Sequence, residues 1–158
     1  GYGLSGDANH ITAPLENGDG AHLSMKMALD RSGVQPHQVD YINAHATSTG
    51  LGDLSEIKAI EKLFSLNLDK IQISASKSMT GHLLGGTGAI EAISTCLTVK
   101  SDLIPPTINT TEIDDNIPKE LKLSLGTKAF SKTVNYALSN SFGFGGHCAA
   151  LILKKYID

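Results

Sequence analysis

Cysteine is scarce. Only Cys96 and Cys148 occur in 158 residues, too few for a disulfide framework or a cysteine-based metal site, and a reducing compartment is expected. No apolar run approaches the length that spans a bilayer, and Gly1 to His10 carries neither a charged start nor the apolar core of a secretory signal. Because the chain opens at Gly1 without a methionine, that says little about the parent protein. Charge of one sign is also lacking: 13 Lys and Arg stand against 16 Asp and Glu, for a net charge of -3. The basic residues are scattered, which leaves no stripe for nucleic acid and no polybasic arm for a membrane surface. Internal repeats and low-complexity tracts are absent. What remains is 41% hydrophobic side chains, enough for one core, and a single domain over residues 1–158 is expected.

The periodicity of the chain alternates. Between Asn17 and Gly33 the residues Ala21, Met25, Ala28 and Leu29 share a helical face, and Gly33 is placed to end the helix. Val39 to Asn43 reads as a short strand running into His45. Asp53 and Glu56 form an Asp-x-x-Glu capping box for a helix through Phe64, with Ile57, Ile60, Leu63 and Phe64 on its apolar face. Lys70 to Ser76 is strand-like, and a glycine-rich loop, Lys77 to Gly88, follows. Ala89 to Val99 then places Ile90, Ile93 and Leu97 at helical spacing. Pro105 and Pro106 break the chain, and Asn109 to Pro118 reads as an irregular connection. Val134 to Asn140 and Cys148 to Tyr156 are strands around Ser141-Phe-Gly-Phe-Gly-Gly146, a hairpin-like ending. Alternating strands and helices predict an α/β layered fold with a mixed, largely parallel, buried sheet.

Three segments concentrate small and polar residues where strands end, the usual place for sites in α/β folds. They are Asn43-Ala-His-Ala-Thr-Ser-Thr49, Lys77-Ser-Met-Thr-Gly-His-Leu-Leu-Gly-Gly86 and Asn140-Ser-Phe-Gly-Phe-Gly-Gly146. A histidine after a strand is most often structural, and His10, His22 and His37 belong to that class. His45 and His82 stand beside hydroxyls or glycines, where an imidazole can face a cleft. The run Gly81 to Gly88 lies between strand and helix as phosphate-binding loops do, yet it has neither the G-x-G-x-x-G spacing nor the P-loop order. Thr47 and Thr49 are as compatible with helix capping, and Phe142 and Phe144 with core packing, as with a site.

Taken together, these three segments resemble the β-ketoacyl-[acyl carrier protein] synthases, condensing enzymes of the thiolase-like fold, and the similarity runs from Gly1-Tyr-Gly-Leu-Ser-Gly-Asp7 to the lysine-rich end. The part resembled is the carboxyl-terminal half, without the half that carries the nucleophilic cysteine. By that resemblance His45 and His82 are the histidines that act on a malonyl thioester, and Lys77 is the lysine near the second. Thr47 and Thr49 hold the phosphopantetheine arm. Phe142 and Phe144 lie at the acyl site, with Phe144 as the gate and its backbone N–H as the oxyanion donor. Asn43, Glu91, Ser139 and Asn140 form a polar network, with a possible monovalent cation. The resemblance implies elongation from malonyl-ACP, no redox cofactor and no catalytic metal, an acyl carrier protein as partner, a homodimeric intact enzyme, and a cytoplasmic or mitochondrial-matrix location. This half alone is expected to be inactive in condensation.

The sequence departs from the family pattern at three positions. Ala46 stands where glycine is frequent, and His147-Cys148 replaces the usual Thr-Asn. Cys148 is not the family's nucleophile. The rival readings are a chain-length-factor-like binding subunit and a thiolase acting on CoA esters; two histidines favour the decarboxylating branch over a His-plus-Cys arrangement. A Cys148 facing His45, with His82 turned away, would favour the thiolase.

Overall fold

The structure is a computed structural model and describes residues 1–157. Its strands are β1 (Tyr2–Gly6), β2 (Tyr41–Asn43), β3 (Gln72–Ser74), β4 (Leu103–Ile104), β5 (Lys122–Leu123), β6 (Phe130–Ser131), β7 (Tyr136–Gly143) and β8 (His147–Lys154). The helices are α1 (Asp19–Ser32), α2 (Gly50–Phe64), α3 (Lys77–Thr80) and α4 (Thr87–Ser101). One six-stranded sheet runs in the order β1-β8-β7-β2-β3-β5. The pairings β7·β2, β2·β3 and β3·β5 are parallel, and β1·β8 and β8·β7 are antiparallel, so the expected mixed, largely parallel sheet is what forms. The short strands β4 and β6 pair separately.

Helices cover both faces. On one, Ala21, Met25, Ala28 and Leu29 of α1 and Ile57, Ile60 and Phe64 of α2 pack on Ile42, Ile73, Leu138, Ala150 and Ile152. Gly33 ends α1 as its sequence position requires, in the left-handed conformation with φ 68° and its N–H on the carbonyls of Leu29 and Asp30. Strand β1 lies so close to α1 that a Cβ on Gly3 would sit 1.9 Å from the Ser24 carbonyl oxygen, which leaves room only for glycine. The opposite face carries α4, where Tyr41, Val99, Ile104, Val134 and Ala137 form a smaller cluster.

Besides β1, β4, β5 and β6, which no local signal marked, reading and structure part company in three places. The stretch Lys77–Gly88 is not all loop, since α3 and a 3-10 turn (Leu84–Gly86) lie within it. Asp53 and Glu56 do not form a capping box, because α2 begins at Gly50 with Thr49 as its N-cap, placing both carboxylates inside the helix. The third difference concerns α4. Its buried residues are Thr87, Glu91, Thr95, Thr98 and Val99, while Ile90, Ile93 and Leu97 are 39%, 58% and 60% exposed. The apolar stripe points away from the sheet because the sheet offers α4 a polar surface, Asn43 and Ser139, that an apolar face could not satisfy.

Candidate active site

His45 and His82 meet at the carboxyl ends of β2 and β3. Their ring centroids are 5.6 Å apart with planes at 85°, and the Phe142 ring is also 5.6 Å from His45. The His45 loop is bent by two non-glycine residues at positive φ, Ala46 at 25° and Ser48 at 63°. Such backbone costs about 1–3 kcal/mol per residue and persists only where its surroundings hold it. Here α2 holds it: Glu56 accepts the N–H groups of His45 and Ala46, both at 2.9 Å, and Asp53 accepts that of Ser48 at 3.1 Å. Burial raises the pKa of both carboxylates, against the hydrogen bonds that lower it. Positive φ at Ala46 also gives a physical reason why glycine suits this position; the methyl is accommodated once Glu56 clamps the loop.

The two imidazoles are set differently. Burial lowers the His45 pKa to about 3, helped by the charges of Lys77 and then His82, so the ring is neutral at physiological pH. On His82, Nδ1 accepts the Leu84 N–H at 3.2 Å and lies 2.9 Å from Thr87 Oγ1. An Nδ1 that accepts a backbone N–H is unprotonated, which puts the proton on Nε2 and makes that nitrogen a donor. Thr87, buried at the start of α4, was not among the residues singled out from sequence; a threonine five positions after the histidine at a helix start was the available signal.

Lys77 is buried in an ion pair. Its Nζ lies 2.7 Å from Glu91 Oε1, with side-chain exposures of 5% and 1%, and Ser76 Oγ donates to the same oxygen at 3.1 Å. Its charge helps hold the His45 ring neutral.

The four-residue polar network divides. Asn43 donates to the Glu91 carbonyl and to Thr95 Oγ1 on the α4 face, and Ser139, opposite Asn43 in register, shares that face. Asn140, the next residue along β7, points to the other face and donates to Glu56 Oε1 at 2.8 Å. Period-two alternation of the strand is the reason, so Asn140 braces the His45 loop instead.

Thr47 is half-buried and its Oγ1 is 3.1 Å from that of Thr49. Thr49 occupies the N-cap without a side-chain capping bond, which frees its hydroxyl from the helix. Both line a cavity of about 570 Å³ that also touches Lys77, His82 and Thr107. Phe144, 72% exposed, sits in the three-residue turn of the β7–β8 hairpin, where Gly145 and Gly146 take positive φ. Cys148 is buried beside Asp7, its Sγ 3.9 Å from Asp7 Oδ1, and burial pushes its thiol up to about 12. A thiol held protonated in that position is no nucleophile.

A comparison of the chain with known families matches residues 1–111 to the beta-ketoacyl synthase, C-terminal domain. The chain belongs to that family. This β-ketoacyl synthase domain is 50% identical over 157 residues to 3-oxoacyl-[acyl-carrier-protein] synthase 2 of Rhizobium meliloti (strain 1021), covering 99% of the chain and 36% of the relative. It is 46% identical over 156 residues to the enzyme of the same name from Staphylococcus aureus (strain COL), covering 99% and 37%. A solved type II PKS acyl-carrier protein in complex with its ketosynthase bound to the hexaketide superposes with a TM-score of 0.93 at 30% identity, over 99% of this chain and 38% of that one. The synthase domain thus spans little more than a third of its relatives' length, and its fold is that of the carboxyl-terminal half of thiolase-like ketosynthases.

Proposed function

We propose that the protein to which this domain belongs catalyses the decarboxylative Claisen condensation of an acyl thioester with malonyl-ACP, and that this chain supplies the decarboxylation half of the site. The observation that carries the reading is the convergence of two neutral-capable imidazoles, 5.6 Å apart, at two strand ends. Loss of carbon dioxide from a malonyl thioester leaves the electron pair of the broken C–C bond on Cα, and the charge delocalises onto the thioester oxygen. Fixed N–H donors stabilise that enolate more than the neutral ground-state carbonyl. The Nε2–H of His82 is set to donate by its Nδ1 contacts. His45, kept neutral by burial and by Lys77, retains one ring N–H for the same oxygen. The ion pair with Glu91 keeps the Lys77 charge in place.

In this reading the phosphopantetheine arm, delivered by an acyl carrier protein, passes Thr47 and Thr49, and Phe142 and Phe144 border the acyl chain. The Phe144 N–H serves as the oxyanion donor for acyl transfer. No redox cofactor takes part. A monovalent cation, if bound, has Asn43 Oδ1 and Glu91 Oε2 on the α4 face to hold it, both buried and without a protein hydrogen-bond partner among the described residues; its positive charge would steady the carboxylate. The acyl group is carried on a cysteine supplied by the rest of the enzyme, with the exposed stripe Ile90, Ile93 and Leu97 as the face that the rest covers. Homodimerisation belongs to that intact enzyme. The isolated domain turns over no condensation product.

A chain-length-factor subunit has no need of a donor-ready histidine pair, and a Cys148 thiol held protonated by burial beside Asp7 does not supply the second reactive cysteine that a thiolase would use. His82→Ala in the full-length enzyme tests the reading: malonyl decarboxylation is lost while acylation of the nucleophile persists. Decarboxylation at the unchanged rate would refute it.

A further inference from the structure

The turn α3 carries Lys77, and His82 follows its end after one residue, Gly81, yet four residues are too few for a helix to hold itself. Its N-cap, Ser76, makes no side-chain capping bond. Strand β3 stops at Ser74, where its neighbours in the sheet also run out: the Ala44 N–H takes the Ser74 carbonyl and the Ser124 N–H takes that of Ile73. The next amide, that of Ala75, donates to a side chain instead, Thr107 Oγ1, at 2.8 Å. Thr107 is itself anchored through its backbone, its N–H on the Ser124 carbonyl at 2.6 Å and its carbonyl accepting from Gly126 at 3.1 Å. A second strut lies beside it. Ser78 Oγ accepts the Ile108 N–H at 3.0 Å and donates to the Ala75 carbonyl at 2.8 Å. Pro105 and Pro106, just ahead, fix the φ angles of the incoming chain.

We propose that Thr107 is a positioning residue for decarboxylation: its hydroxyl replaces the missing strand partner of Ala75 and so fixes the turn that sets Lys77 against Glu91 and starts the His82 loop. The proposal rests on the condensing function above. Displacing catalytic groups by about 1 Å costs on the order of 100-fold in rate, and two hydroxyls are what tie this turn to the neighbouring segment.

The test uses Thr107→Val and Thr107→Ser in the full-length enzyme, with carbon dioxide release from a malonyl thioester as readout, and amide hydrogen exchange of this chain carrying the same changes. Valine is expected to lower kcat for decarboxylation at least roughly tenfold with KM little changed. Serine, which keeps the hydroxyl, restores most of it. In the chain itself valine accelerates exchange across Ala75 to His82 by at least roughly tenfold while β7 and β8 exchange as before. Equal losses in the serine and valine variants, or unchanged rate and exchange in valine, overturn the proposal. Should Thr107→Val fail to fold, Ser78→Ala carries the same prediction with the same overturning result. If His82→Ala leaves decarboxylation intact, the condensing function fails, and the exchange readout still decides whether Thr107 holds the turn.

Discussion

Replacing Glu91 with glutamine leaves the Lys77 ammonium buried without its ion-pair partner. The pair lies at 2.7 Å with both side chains almost wholly buried. At that separation the attraction is about 6 kcal/mol for an effective dielectric constant of about 20, set against desolvation of several kcal/mol for each ion. The net worth of the pair is therefore small, while the cost of removing one member is large, about 3–5 kcal/mol. Glu91→Gln should fall near about 3 kcal/mol, because the amide oxygen still accepts from Nζ. Lys77→Met should reach the upper end, since Glu91 then keeps only Ser76 as a side-chain donor. The double variant should cost no more than the worse single one, a coupling of at least about 3 kcal/mol. Urea unfolding of this chain followed by circular dichroism measures all three. For a chain of this size a loss of 3–5 kcal/mol lowers Tm by roughly 6–20 °C. Single changes that each cost under about 1 kcal/mol, or a double variant that is simply additive, would refute the reasoning.

Two further outcomes are expected. The folded-state pKa of His45, about 3, lies below the unfolded value of about 6.5; the unfolded chain therefore takes up the proton first, and the associated stability, complete above pH 6.5, is lost as pH falls from there toward 3. Long-range ¹⁵N spectra should show a neutral His45 ring from pH 8 down to 5, and a midpoint near 6.5 would contradict its burial. Ile93→Lys, on the exposed stripe of α4, should change the stability of this chain by no more than about 0.5 kcal/mol, whereas Ile60→Ala should cost about 2–5 kcal/mol; similar costs for the two in urea unfolding would mean that the stripe is covered.

Local chemistry was enough for the α/β class and for the positions where the site forms. The period of Ala21, Met25, Ala28 and Leu29, the stop at Gly33 and the glycines between β7 and β8 are constraints that a residue and its near neighbours impose. His45 and His82 were legible as candidates because each stands among small and hydroxylated residues past a strand. Other features depended on partners distant in the chain. A helical stripe in a sequence shows that one face differs from the rest and not which face meets the sheet, so the inversion of α4 became visible only when Asn43 and Ser139 were seen beneath Glu91 and Thr95. Glu56 looked like a capping residue because only the short range is visible in sequence; it braces the His45 loop because the chain doubles back eleven residues upstream. Ser139 and Asn140 serve opposite faces through strand alternation, and only the register of β7 against β2 tells which face is which. The sequence by itself determined the long helices, the strands β2, β3, β7 and β8 and the chemical groups; tertiary structure decided the remaining short strands and which groups face one another, because contacts between segments distant in the chain leave no periodic trace.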